Sequence, residues 1–207
     1  MVQYSITESY EADYRIKGSK FLSYLIPCND SESAEKCLED IKAIHPTATH
    51  HCYAYRVEPG NCMEFSQDDG EPAGTAGLPI LNEMKSDQIV NAICIVVRYY
   101  GGTKLGKSGL IDAYSAAARM AIQKASIKKI IPTCVYTIRY PYDQQSLIEK
   151  LRHTFTLYES DAAYAESVTL KLECPISRQA AFEKRLKAIA HLLISVDKEN
   201  RPSHIMP

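Results

Sequence analysis

The run NAICIVVRYY, residues 91–100, constrains this chain more than any other stretch. It is almost unbroken in apolar residues and rich in β-branched ones, a pattern that a strand carries when both of its faces are covered. The run ends at the pair Gly101 and Gly102. From Ser108 the period changes: Leu110, Ala113, Tyr114, Ala117, Ala118, Ala121, Ile122 and Ala125 recur at spacings of three and four, which predicts a helix with one apolar face. Because that face is mostly alanine, the helix is expected to lie close against whatever it covers.

The remaining patterns place this central strand in an α+β fold. SKFLSYLIPC reads as a strand, and DSESAEKCLEDIKAIHP as a helix capped by Asp30 or Ser31, stopped by Pro46, with Ala34, Cys37, Leu38, Ile41 and Ile44 on one face. HHCYAYRV and CMEFSQ alternate as strands do and are joined by EPGN, which predicts a hairpin. IKKIIPTC, with paired lysines and a proline between a long helix and a fresh strand, reads as a domain boundary and divides the chain into parts 1–130 and 131–207. The second part runs CVYTIRYP (strand), DQQSLIEKLRHT (helix), FTLYESDAAYAE and SVTLKLECP (strands), SRQAAFEKRLKAIAHL (helix) and ISVDKE (strand), which is the ferredoxin-like β-α-β-β-α-β order. The polar tail NRPSHIMP is expected to be loosely held.

Charge excludes some partners. With 24 Lys and Arg against 25 Asp and Glu the formal charge is -1, so no overall basic surplus draws the chain to nucleic acid or to an anionic membrane, and such contact needs a local patch. No run approaches the ~18 apolar residues of a membrane span and the first residues do not read as a leader, so a cytoplasmic protein is expected. The seven cysteines are scattered singly without C-x-x-C pairing, which suits buried, reduced packing residues better than a metal or redox site.

Two glycine-rich loops carry the chemistry. GGTKLGKS, residues 101–108, matches the phosphate-loop pattern G-x-x-x-x-G-K-[ST] letter for letter, and HLLISVD offers a strand ending in an aspartate, Asp197. The alternating parallel strands and helices of such nucleotide hydrolases are missing from the pattern, however. The same glycines also read as a sharp exit from a buried strand, or as a turn whose free N–H groups at a helix N-terminus face an anion, aided by Lys104 and Lys107. The loop SQDDGEPAGTAG crowds Asp68, Asp69 and Glu71 among glycines. These carboxylates either hold magnesium beside a phosphate, supply a general base at Asp68, or sit solvated in a tight turn.

Other candidates are weaker. His50 and His51 adjoin in a strand and point to opposite faces, which argues against a metal site with His45 and Cys52, and no Ser or Cys sits in a nucleophile elbow. Tyr53, Tyr55, Tyr99 and Tyr100 near Arg56 and Arg98 are of the types that stack RNA bases or pack a core. Neighbours on a strand face opposite ways, so only one of Tyr99 and Tyr100 is expected to be open to a partner.

DDGEPAGTAG together with VRYYGGTKLGKSGLIDAY, supported by HPTATHHCYAYR and SKFLSYL, resembles the IMPACT family over nearly all of residues 1–127, and the second part is similar to the extra C-terminal domain of its bacterial, YigZ-like members. The resemblance implies a first domain similar to the second domain of the fifth small-subunit ribosomal protein, and a ferredoxin-like second domain similar to a C-terminal domain of elongation factor G. It implies a role in regulating translation, the eukaryotic members binding protein partners in the amino-acid starvation response. It carries over no catalytic reaction and no cofactor.

The family motif falls here on Asp68, Asp69, Gly70, Glu71, Pro72, Gly74, Thr75, Gly77, Arg98, Tyr99, Gly101, Gly102 and Gly106. Relatives typically continue G-[TA]-G-G-L where this chain has GKSGL, so Lys107 and Ser108, the residues that complete the phosphate-loop pattern, are departures from the family pattern. The expectation is a regulatory protein that binds RNA, the ribosome or a protein partner, without evident DNA specificity, through Asp68, Asp69, Glu71, Thr75, Arg98, Tyr99, Gly101, Gly102, Lys104, Gly106 and Lys107. The alternative is a magnesium-dependent, nucleotide- or phosphate-using enzyme at the same loops.

Overall fold

A computed structural model describes residues 2–59, 62–199 and 203–205, and its chain divides into two compact units, Met1–Lys129 and Ile130–Pro207. The first unit runs β1 (Tyr4–Ser5), β2 (Tyr10–Ile16), β3 (Ser19–Pro27), α1 (Ser31–Ile44), β4 (His50–Val57), β5 (Met63–Gln67), α2 (Gly77–Ser86), β6 (Ala92–Tyr99), α3 (Gly106–Lys124) and β7 (Lys128–Lys129). Five of these strands form one antiparallel sheet in the order β2-β3-β6-β4-β5, so the apolar run is its central strand.

Both faces of β6 are covered, and the period of two assigns its residues to different layers. Ala92, Cys94 and Val96 join the core under α2 and α3, with Phe21, Leu25 and Tyr114, whereas Ile93, Ile95 and Val97 join the core under α1, with Leu38 and Ile41. Ala113, Ala117, Ala118 and Ala121 of α3 are fully buried, the close approach that the alanine face predicts. Asp30 caps α1 by accepting the Ser33 N–H at 2.7 Å. The face of that helix is narrower than its pattern suggests, since Ile44 in its last turn is 65% exposed.

Glycine decides one backbone crossing. A Cβ on Gly101 would stand 1.9 Å from the carbonyl carbon of Gly18, so the exit of β6 packs against the turn between β2 and β3 backbone to backbone. Helix α2 has no counterpart in the sequence reading. It is ten residues long, holds Pro79, and its N-cap residue, Ala76, offers no capping side chain, so the usual start signals are absent.

The second unit contains β8 (Ile131–Tyr140), α4 (Gln145–Phe155), β9 (Tyr158–Tyr164), β10 (Val168–Pro175), α5 (Gln179–Ile189), β11 (Ser195–Lys198) and β12 (Ser203–Ile205). Its main antiparallel sheet has the order β11-β8-β10-β9, which is the ferredoxin-like arrangement, around Ile138, Leu170, Leu172, Ile148 and Phe182. Part of the polar tail is held, contrary to expectation: residues 203–205 pair with residues 131–133 of β8, where an open strand edge supplies backbone partners. The other residues of the tail, and Gly60 and Asn61 of the hairpin turn, lie outside the described residues.

Candidate functional site

The acidic loop between β5 and α2 is folded by its own carboxylates. Asp68 Oδ1 accepts the N–H groups of Ala76 at 3.0 Å and Gly77 at 2.8 Å, and Oδ2 accepts that of Gly74 at 2.8 Å. Asp68 therefore supplies from a distance the cap that Ala76 lacks, satisfying donors at the N-terminus of α2. Asp69, in the left-handed region at φ 44, accepts the His51 N–H at 2.6 Å, and its carbonyl oxygen lies 2.7 Å from His50 Nδ1. Thr75 is buried and donates to the Pro72 carbonyl at 2.6 Å. The general-base reading of Asp68 is thereby corrected, because both of its oxygens are engaged by backbone donors.

Glu71 leads from this loop to the end of β6. The Arg98 guanidinium donates through Nη1 to Glu71 Oε1, and the two side chains are only 5% and 4% exposed. Tyr114 of α3 donates to the same oxygen at 2.9 Å, Cys52 Sγ lies 3.3 Å from the Tyr114 hydroxyl, and His50 Nε2 stands 3.7 Å from Oε1. The guanidinium carbon also lies 5.4 Å from the ring centroids of both Phe21 and Tyr100. Burial pushes the Tyr114 hydroxyl and the Cys52 thiol far up from their ordinary values, with the neighbouring Glu71 charge adding to each.

Above this pair the two glycine-rich loops meet. Glu71 and Pro72, the end of β6 at Arg98 and Tyr100, the residues Lys104 to Lys107 with Leu110, and Thr49 and His50 beside β4 line one cleft of about 460 Å³. Helix α3 opens on it with no side-chain cap and no acid in its first turn, so the N-terminal N–H groups and the positive end of the dipole are uncompensated. Lys104 and Lys107 are exposed and have no ion-pair partner among the described residues. The cleft is thus electropositive at its mouth, while the carboxylate in its lining is neutralised by Arg98.

Of the sequence candidates, Glu71, Arg98, Lys104, Gly106 and Lys107 line the cleft. Asp68, Asp69 and Thr75 build the loop behind it, and Gly101 and Gly102, the latter at φ 84, shape the turn without lining it. Tyr99 points to the opposite face of the sheet, where His45 Nδ1 lies 2.9 Å from its hydroxyl and His45 Nε2 lies 2.7 Å from that of Tyr24. Burial lowers the pKa of that imidazole. Tyr100 is the tyrosine at the cleft, because it follows Arg98 by two and shares its face. Thr49, His50, Pro72, Leu105 and Leu110 also belong to the lining. His50 was findable only through the pairing that sets it opposite Arg98. Among the described residues, no group of three His, Cys, Asp or Glu side chains is placed to hold a metal, and no helix is long and apolar enough to cross a membrane.

Fold and cleft together define a two-unit α+β protein with a loop-lined, cation-rimmed cavity in its first unit. The Impact N-terminal domain matches residues 17–122, and a domain of unknown function, DUF1949, matches residues 138–191. The chain is 34% identical over 173 residues to the IMPACT family member YigZ of Escherichia coli K12, covering 83% of this chain and 85% of that one. It is 30% identical over 201 residues to an IMPACT family member of Haemophilus influenzae, covering 95% and 98%. A solved structure titled as that of an hypothetical protein superposes with a TM-score of 0.68 at 29% identity, covering 97% of this chain and 98% of that one. The chain belongs to the IMPACT family.

Proposed function

We propose that this chain is a translation-linked regulatory protein that works by binding, and that it engages RNA or the ribosome through the cleft between its two glycine-rich loops. The observation that carries the reading is the convergence of those loops on the uncapped N-terminus of α3, rimmed by Lys104 and Lys107, which have no ion-pair partner among the described residues. Such a surface holds anionic groups through backbone N–H groups and local charge, and it needs no basic surplus across the whole chain. The link to translation comes from the family to which the chain belongs.

The alternative, a magnesium- and phosphate-using enzyme at the same loops, requires carboxylate oxygens free to bind a cation. Asp68 commits both oxygens to backbone N–H groups, Asp69 commits Oδ2 to the His51 N–H and Glu71 commits Oε1 to Arg98 and Tyr114, and among the described residues no three such side chains are grouped to hold a metal. The donor chemistry therefore favours binding. Capture of bound partners from cells, with and without ribonuclease, tests the reading: Lys104→Glu combined with Lys107→Glu is expected to lose a ribonuclease-sensitive partner that the unaltered protein retains. Equal capture by both forms refutes it.

A further inference from the structure

We infer that Cys134 and Cys174, in the second unit, form a reversible disulfide when they meet a small-molecule disulfide such as oxidised glutathione.

Far apart in the chain, the two cysteines are brought together by β8 and β10, which pair antiparallel with Cys134 directly opposite Cys174. Residues so opposed project their side chains from one face of the sheet. Here it is the face that carries the core: Cys174 is fully buried in it with Phe182, and Cys134 packs half-buried against it. The Cα atoms of directly opposed residues stand about 4.5–5.5 Å apart, inside the range of about 4.4–6.8 Å that a disulfide spans. Among the described residues no other two cysteines are directly opposed on paired strands, since Cys52 faces Val96 and Cys94 faces Leu25 and Ala54.

The pair is of the wider, hydrogen-bonded kind. Val135 and Arg139 turn their carbonyl oxygens to the other edge of β8, where they accept the N–H groups of Glu199 at 3.0 Å and Ile194 at 2.8 Å, so the alternate residues Cys134, Tyr136 and Ile138 turn theirs to β10. A bond at such a pair must draw the side chains together against the ladder, and strained disulfides are the readily reduced ones. The site therefore suits reversible oxidation rather than a permanent staple.

The surroundings set the order of attack. Burial pushes the Cys174 thiol up to about 11, with the neighbouring Cys134 and Glu183 adding to the shift and Arg178 opposing it. Cys134 is half-buried, its thiol donating to Gln179 Oε1 at 3.0 Å, and is the sulfur that meets the reagent. Its thiol loses a proton and its sulfur attacks one sulfur of the reagent, whose S–S bond breaks to release a thiolate that takes up a proton. Cys174 then gives up its proton, and its sulfur attacks Cys134 in the mixed disulfide and displaces the second reagent thiolate, which is protonated in turn. Both protein thiols are oxidised and the small disulfide is reduced to two thiols. Gln179, the first residue of α5, thereby loses the hydrogen that Cys134 donates to it.

The test is incubation of the folded full chain with excess oxidised glutathione, alkylation of the remaining thiols, and mass spectrometry of a tryptic digest made at mildly acidic pH to prevent exchange. Cleavage after Lys and Arg places Cys134 in peptide 130–139 and Cys174 in peptide 172–178. The two peptides are expected as one linked species, and as two separate alkylated peptides after dithiothreitol. In urea the yield of this link is expected to fall at least about tenfold, because a long loop must then close without the ladder. Cys174→Ala is expected to stop at a glutathione adduct on Cys134, and Cys134→Ala to leave Cys174 unmodified. An unchanged amide spectrum verifies the fold of each variant, and the unaltered chain carries the test by itself if a variant does not fold. Absence of the linked peptide from the folded chain overturns the inference, as does an equal yield in urea. A glutathione adduct on Cys174 in folded Cys134→Ala overturns the order of attack.

Discussion

Replacing Glu71 with glutamine removes the charge that balances Arg98 while keeping the size of the side chain and an acceptor for the Tyr114 hydroxyl. With the two side chains 4% and 5% exposed, solvent cannot screen the stranded cation, and breaking a buried pair in this way costs about 3–5 kcal/mol. The rings of Phe21 and Tyr100, each 5.4 Å from the guanidinium carbon, continue to hold the cation, which places the cost toward about 3 kcal/mol. At a urea slope of about 2 kcal/mol/M the unfolding midpoint of the first unit then falls by about 1.5 M. Because the chain has two compact units, unfolding is followed by amide signals of β6 rather than by a whole-chain signal. Adding Arg98→Met to Glu71→Gln is expected to recover most of the loss, since an uncharged replacement of both partners leaves no buried charge. A shift below about 0.3 M for Glu71→Gln, or a double variant no more stable than the single one, refutes the claim that this pair is an uncompensated charge waiting to be exposed.

Asp68→Ala removes the acceptor of three backbone N–H groups, two of them at the N-terminus of α2, and is expected to lower stability by about 1–3 kcal/mol in thermal unfolding, with Asp68→Asn recovering part of it. Gly101→Ala drives a methyl to 1.9 Å from the Gly18 carbonyl carbon and is expected to abolish soluble expression of folded protein, whereas Gly102→Ala meets no atom within 4 Å and costs only about 1–2 kcal/mol for its φ of 84. In the second unit the Tyr136 hydroxyl, the Lys198 ammonium and the Gln179 amide hold Glu183 down at about 2, against an ordinary 4.5. A carboxylate depressed in the folded state stabilises above its unfolded pKa, so this contribution is complete above pH 4.5 and is lost as the pH falls toward 2. The melting temperature of the second unit is expected to fall across that window, and Glu183→Gln to flatten the fall.

How much of this was legible in the sequence depended on the range of the interaction. The central position of β6, the start of α1 at Asp30 or Ser31, the alanine face of α3 and the order of the second unit all follow from local period and capping, and the structure has them, with Asp30 as the cap. The division of the two tyrosines between the sheet faces follows from period two, but period alone does not say which face carries the cleft, and it is Tyr100 rather than the expected Tyr99 that lines it. What was not legible depends on distant pairs. Asp68 looks like a free acid in sequence because its partners, Gly74, Ala76 and Gly77, are backbone groups that only a folded loop turns toward it. Helix α2 carries no local start signal for the same reason: the carboxylate that accepts its first N–H groups is Asp68, outside the usual capping spacing.

The phosphate-loop match is resolved by strand direction rather than by its letters. In nucleotide hydrolases the loop follows a strand of a parallel sheet flanked by helices, and the partner aspartate ends a neighbouring strand of that sheet. Here β6 is antiparallel to both neighbours, β3 and β4, and Asp197 belongs to β11 in the other unit. The sheet that would carry the hydrolytic machinery is therefore not built, and Lys107 and Ser108 complete the pattern without it. Their chemistry nevertheless survives the loss of that architecture, because an uncapped helix start and two lysines attract a phosphate whatever the direction of the preceding strand. The mouth of the cleft thus owes its charge to Lys104 and to Lys107, of which only Lys107 departs from the pattern that the family resemblance implies, and its floor to Arg98 and Glu71, which that pattern includes. Partner affinity is accordingly expected to follow Lys107, and stability to follow Glu71, when the two positions are exchanged between this chain and a relative that carries a small residue in place of the lysine.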